Sequence, residues 1–167
     1  MNKVVDFFDL LSQKTDWLVT RLVFVIIAGL VLVTTSQVVF RVFFTALSWS
    51  EELSRYLLVW GTFFGATMAY KRGNHIALTF FIEAFGKKVK SMFNILMNIL
   101  SIVFFSFVVY YGSQMIKMQV FQISPALSLP MKYIYYCIPV SLCIMIIHSL
   151  AGISKEFIGF RNGGEVQ

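Results

Sequence analysis

The residues that could do chemistry are few, and most lie at the edges of apolar runs. Glu51, Glu52 and Arg55 stand at the head of an otherwise uncharged stretch that ends at Tyr70. On a helix, Arg55 can pair with Glu51 four residues back or with Glu52 three residues back. Ser48 and Glu51 have capping-box spacing, and both carboxylates would then lie near the positive end of the helix dipole. A charge at the centre of a bilayer costs roughly 2.5–3.5 kcal/mol on insertion scales, and much less when paired at a helix end. Two readings follow: an interfacial ion cluster that anchors the helix end, or a polar contact with another membrane subunit. Farther along, Gly61, Gly65 and Ala69 recur every four residues. Such a row lets a helix approach closely in lipid, whether from this chain or from another.

The other reactive side chains do not assemble into an active site. His75 falls in a short polar loop and His148 deep in the last apolar run, poorly placed to act together as haem ligands. His148 reads as a hydrogen-bonded packing residue. Cys137 and Cys143 are six residues apart, on different faces of a helix, so a disulfide between them is excluded. No glycine-rich phosphate loop, Ser-His-Asp set or mid-membrane carboxylate pair occurs. No catalytic, metal or cofactor site is therefore expected.

The bulk composition explains this scarcity. Of 167 residues, 58% are hydrophobic and 13% charged, and the mean hydropathy is +0.77. A soluble domain is nearer half apolar and a quarter charged, so the chain is a polytopic membrane protein. Its net charge of +6 is scattered through short loops and comes with no stacking platform, which argues against nucleic acid. Asp6, Asp9 and Asp16 interrupt the N-terminus, so it does not read as a cleavable signal peptide.

The fold class expected is an all-α integral membrane protein forming one membrane domain, 1–167. Four spans are predicted, at about 22–40, 53–70, 91–116 and 133–154. An amphipathic helix precedes them over 2–16, with Val4, Phe8 and Leu11 on one face, suited to lying on the membrane surface. A short extension of the first span is the other reading. Ile76–Phe85 is too short to cross and suggests an interfacial segment between spans two and three. Asn94, Asn98 and Ser101 form a polar stripe expected to face protein, and Pro139 should kink the fourth span in its first turns. Lys and Arg number ten on the side holding both termini and the Lys71–Lys90 loop, against four on the other, which predicts N-in and C-in. The start of span two and the Gln119–Pro130 loop then face outward together.

Trp49-Ser-Glu51-Glu52-Leu-Ser-Arg55, then Trp60 and Phe64-Gly65-Ala66, resembles the signature of the small, DctQ-like membrane subunit of TRAP (tripartite ATP-independent periplasmic) transporters. Asn74-His75-Ile76-Ala77-Leu78 and Ser124-Pro-Ala-Leu-Ser-Leu-Pro130, followed by Tyr136 and Pro139, agree with it, and the likeness covers about residues 17–155. One departure is Thr79, where the family often carries an acidic residue. The resemblance implies a large multi-span subunit and a periplasmic substrate-binding protein as partners, in a bacterial inner membrane. It also implies sodium-coupled uptake of a carboxylate, a C4-dicarboxylate or sialic acid. In that setting Trp49, Glu51, Glu52, Arg55, Trp60, Gly61, Gly65 and Ala69 are the expected scaffold or partner interface. Arg41, Gln119, Gln122 and Ser124 are expected to face the binding protein. A self-sufficient homo-oligomeric carrier and a haem or quinone anchor are the competing classes.

Overall fold

The computed structural model describes residues 3–45, 47–73 and 87–161, and within them the chain is almost entirely helical. Helix α1 runs over Lys3–Phe43, α2 over Ser48–Gly73 and α3 over Lys87–Met118. A single 3-10 turn, Gln119–Phe121, extends α3 into the loop. The short α4, Lys132–Tyr135, leads into α5, Cys137–Arg161. The expected interfacial segment over 76–85, with His75, lies outside the described residues.

Helix α5 is the hub: α3 packs along it, and α1 and α2 pack on it and on each other. Its sequence explains the role. Ser141, His148, Ser149 and Ala151 are all buried, which gives one helix a small and polar inner face. Leu142, Met145 and Phe105 of α3 form one apolar cluster around it. Cys137 joins Val19, Ile26 and Phe64 in another, and its thiol is free. The α4–α5 break falls at Tyr136, one turn before Pro139. Proline has no amide for the carbonyl of Tyr135 and crowds that turn, so the helix is interrupted just before the proline itself.

The interior combines the apolar clusters with many polar side chains, while the exterior is strongly apolar, unlike that of a water-soluble protein. Ser12, Ser50, Thr67, Asn94 and Asn98 are buried, whereas Phe24, Leu32, Phe104 and Phe107 are each more than 60% exposed. Three helical stretches, Val5–Phe43, Ser91–Phe121 and Lys132–Phe157, are long and apolar enough to cross a membrane. Helix α2 is not among them, because serines, threonines and charges dilute its apolar content. At 26 residues it is nevertheless about 39 Å long.

Of the two readings of the N-terminal segment, the structure agrees with an extension of the first span. The segment is not a separate surface helix but the first part of α1, and its polar side faces protein. Asp9 pairs with Lys155 of α5 at 2.7 Å and Asp16 with Lys71 of α2 at 3.3 Å. The Ser12 hydroxyl and His148 Nδ1 share a buried hydrogen bond of 2.8 Å. Phe7, Leu10, Trp17 and Leu18 point outward. No glycine or proline lies between Lys3 and Gly29, so nothing interrupts the helix.

Asn94 and Asn98 face protein, as their spacing suggests. Asn94 Nδ2 donates to Glu156 Oε1 at 2.8 Å, and Ser91 Oγ donates to the other carboxylate oxygen at 2.6 Å. Asn98 Nδ2 donates to the Asn94 carbonyl at 2.9 Å, and its side chain rests on Gly152. A Cβ at Gly152 would sit 3.3 Å from Asn98 Oδ1, whereas one at Gly65 would meet nothing within 4 Å. Gly152→Leu is therefore expected to destabilise the detergent-purified chain by about 1–3 kcal/mol. Gly65→Leu should stay within about 0.5 kcal/mol of the parent. Thermal unfolding followed by circular dichroism measures both.

Candidate subunit interface and anchored loop

The chain passes from α1 into α2 at the end opposite the Asp9–Lys155 and Asp16–Lys71 pairs. In the first turns of α2 the two glutamates go separate ways. Glu51 Oε1 accepts from Arg55 Nη2 at 2.7 Å, with both side chains well exposed. In water such a pair contributes about 0.3–0.5 kcal/mol. Glu52 points the other way and holds the loop between α3 and α4. One of its oxygens accepts from the Tyr56 hydroxyl, and the other accepts the backbone amides of Ala126 and Leu127, each at 2.9 Å.

The loop is built to be held there. Ser124 N donates to the Leu129 carbonyl at 2.9 Å, and Met131 N to the Gln122 carbonyl at 2.9 Å, closing a narrow loop bridged between Ile123 and Pro130. Ser128 takes a left-handed backbone, with φ of 54°. Pro125 and Pro130 stop the helix from running through, and the turn leaves the amides of Ala126 and Leu127 free to meet a carboxylate. Desolvation works against the charged form of Glu52. The nearby hydroxyls of Ser124 and Tyr56 and the amides of Leu127 and Ala126 outweigh it, so the carboxyl titrates below its ordinary range.

The structure distributes the expected site residues over three settings. Trp60 and Gly61 turn inward. Trp60 Nε1 donates to the Ile134 carbonyl at 3.1 Å, in the turn before the α4–α5 break. A Cβ at Gly61 would sit 3.4 Å from both Ile26 and Ile27 of α1. Glu51, Arg55 and Ala69 are exposed on the side of α2 opposite Trp60, Gly65 has open space above it, and Leu58 and Thr62 complete that face, with Gly61 at its edge against α1. Trp49, Arg41 and Gln122 are exposed and Gln119 half-exposed at the same end of the bundle as the Glu52-held loop. Ser124 departs from its expected place. It is 2% exposed, buried beneath the loop that Glu52 holds, and presents no surface to a partner.

Sequence reasoning missed the loop's anchor. Tyr56, four residues after Glu52, was the available signal, because that spacing places the two side chains together on a helix. The pairing with Ala126 and Leu127 had no local signal.

An inside-out helical bundle with a hydrogen-bonded loop capping one end defines an α-helical integral membrane protein. The particular family follows from comparison. Residues 30–158 match the family model of the tripartite ATP-independent periplasmic transporters, DctQ component, and the chain belongs to that family. It is 25% identical over 154 residues to the sialic acid TRAP transporter permease protein SiaT of Haemophilus influenzae, across 92% of this chain and 24% of that protein. It is 24% identical over 110 residues to the isethionate TRAP transporter permease protein DctMQ of Oleidesulfovibrio alaskensis, across 65% of this chain and 17% of that one. It is 27% identical over 102 residues to the sialic acid TRAP transporter small permease protein SiaQ of Vibrio cholerae, across 61% of this chain and 59% of that one. The chain thus spans less than two thirds of each of these relatives.

Glu52→Ala is expected to release the loop. Amide exchange at Ala126 and Leu127 should rise by about tenfold or more, because two backbone donors lose a charged acceptor. Acid should do the same to the parent chain. Glu52 has its carboxyl pKa depressed by folding, so its contribution is present above the ordinary carboxylate pKa and is lost as pH falls through the lower folded value. Hydrogen exchange measured across that window checks both.

Proposed function

We propose that this chain is the small membrane subunit of a tripartite transporter in a bacterial inner membrane, bound to a large multi-span subunit. In this role it supports sodium-coupled uptake of an organic acid delivered by a periplasmic binding protein. The observation that carries the reading is one of length. Nearly all of this chain aligns with about a quarter of one polypeptide named as a permease. The rest of that polypeptide is where the large partner's counterpart is expected. Two of the three relatives are named for sialic acid and one for isethionate, which favours a small organic anion and sialic acid first.

The face of α2 formed by Glu51, Arg55, Leu58, Thr62, Gly65 and Ala69 is the contact we assign to the large subunit. It pairs charges at one end with a close-approach surface in the middle, and among the described residues nothing lies within 4 Å of a Cβ built at Gly65. Helix α2 acts as a fourth span, uncharged from Tyr56 to Tyr70 and flanked by Lys71 and Arg72. The Lys and Arg distribution supports cytoplasmic termini and a periplasmic position for the Glu52-held loop. Trp49, Arg41, Gln119 and Gln122 are then available to the binding protein. The inner face of α2, with Trp60 and Gly61, serves the rigidity of the scaffold.

Mild-detergent purification of the tagged chain from native membranes tests the reading. Recovery of one large many-span protein in constant ratio is expected. Gly65→Leu should cut that recovery by at least about fivefold while leaving the chain folded. Recovery of the chain alone, as a stable homo-oligomer, would sink the reading in favour of an autonomous carrier.

A further inference from the structure

The N-terminal half of α1 carries a second exposed feature, at the end of the molecule opposite the Glu52 loop. Leu10, Lys14, Trp17 and Arg21 succeed one another at four-, three- and four-residue steps, so they share one helical face. All four are exposed. Leu10, Gln13, Lys14, Trp17 and Leu18 line a shallow cleft of about 560 Å³. Past Arg21 the same side of the helix continues as Phe24, Val25 and Leu32, which are 75%, 66% and 69% exposed.

The cations on this face differ from their neighbours. Lys71 and Lys155, at the same end of the bundle, are paired with Asp16 and Asp9. Among the described residues, neither Lys14 nor Arg21 has a carboxylate partner. The Arg21 guanidinium lies 4.2 Å from the centroid of the Trp17 ring, so its side chain folds back along α1 toward Lys14. Lys14 and Arg21 are about 10 Å apart along the axis, and this backward fold brings both cationic ends toward one region beside Trp17.

Depth gives the site its chemistry. The Asp16–Lys71 pair marks a polar level at this end of the bundle, and Arg21 lies about 7 Å beyond it, toward the apolar part of the helix. A lipid-facing arginine at that depth extends toward the headgroups, and a tryptophan beside it is at home in the same zone. The surface thus offers two positive charges and an aromatic ring at headgroup level, with an apolar track leading from them toward the bilayer centre. We propose that Lys14 and Arg21, with Trp17 between them, bind the phosphate of an anionic phospholipid, whose acyl chain lies along Phe24, Val25 and Leu32. The site is distinct from the α2 face assigned to the large subunit, and its reading holds whichever side of the membrane this end occupies.

Native mass spectrometry of the full chain in detergent, titrated with dioleoyl phosphatidylglycerol or dioleoyl phosphatidylcholine, tests the site. The parent chain is expected to hold phosphatidylglycerol more tightly. The double variant Lys14→Gln/Arg21→Gln should lose about tenfold in that affinity. Lys117→Gln, at the other end of the molecule, should retain it, and unchanged circular dichroism of the double variant would show that its fold is intact. Equal binding of the two lipids by the parent chain would overturn the proposal, as would an undiminished preference in the double variant. Loss of a co-purifying large protein from the double variant, with no lipid preference in the isolated chain, would overturn it too and make the face a protein contact. The Gly65→Leu purification is read separately, so failure of the lipid site does not bear on subunit assembly.

Discussion

Within lipid, a hydrogen-bonding side chain has no water to fall back on and must find its partner inside the protein. Much of this bundle follows from meeting that demand around α5. Ser149 meets the Tyr70 hydroxyl at 2.8 Å, His148 meets Ser12, and Glu156 meets Ser91 and Asn94. Each contact reaches a different helix, so the polar groups of α5 set the register of α2, α1 and α3 in turn. Apolar packing alone would discriminate poorly among registers here, because the lipid outside is as apolar as the clusters within.

The two ends of the molecule solve the same problem with different chemistry. At one end, Asp9–Lys155 and Asp16–Lys71 tie the start of α1 to α5 and α2. At the other, a single carboxylate closes the loop between α3 and α4 by accepting two backbone amides and a phenol. The first arrangement joins helices through paired side chains. The second orders backbone that has no helix to satisfy it. Between them lies a face of α2 that neither uses, and that contrast is why the outward side of Gly65 and Ala69 reads as a surface for a partner, while Gly61 on the same helix is consumed by α1.

Helices and family were legible because their signals are local. Long uncharged runs, the Trp49–Arg55 motif and the Ser124–Pro130 motif are each written in consecutive residues, and the stripe at Asn94 and Asn98 follows from helical spacing. The direction faced by the N-terminal segment was not legible. Its pattern of Asp9, Ser12 and Asp16 opposite Leu10, Trp17 and Leu18 is equally consistent with polar groups facing water or facing protein. The burial of Ser124 was hidden for a similar reason, since a serine between two loop prolines gives no sign of what covers it.

By itself, then, the sequence determined that the chain is helical, that it belongs in a membrane, and that its few charges lie at the edges of its apolar runs, because length, hydropathy and capping act over a few turns. The tertiary structure decided which way each polar face points. His148 found Ser12 across 136 residues, and Glu52 found the amides of Ala126 and Leu127 across more than 70. Periodicity identifies a polar face but does not name its partner, and in lipid that partner settles whether the face turns in or out.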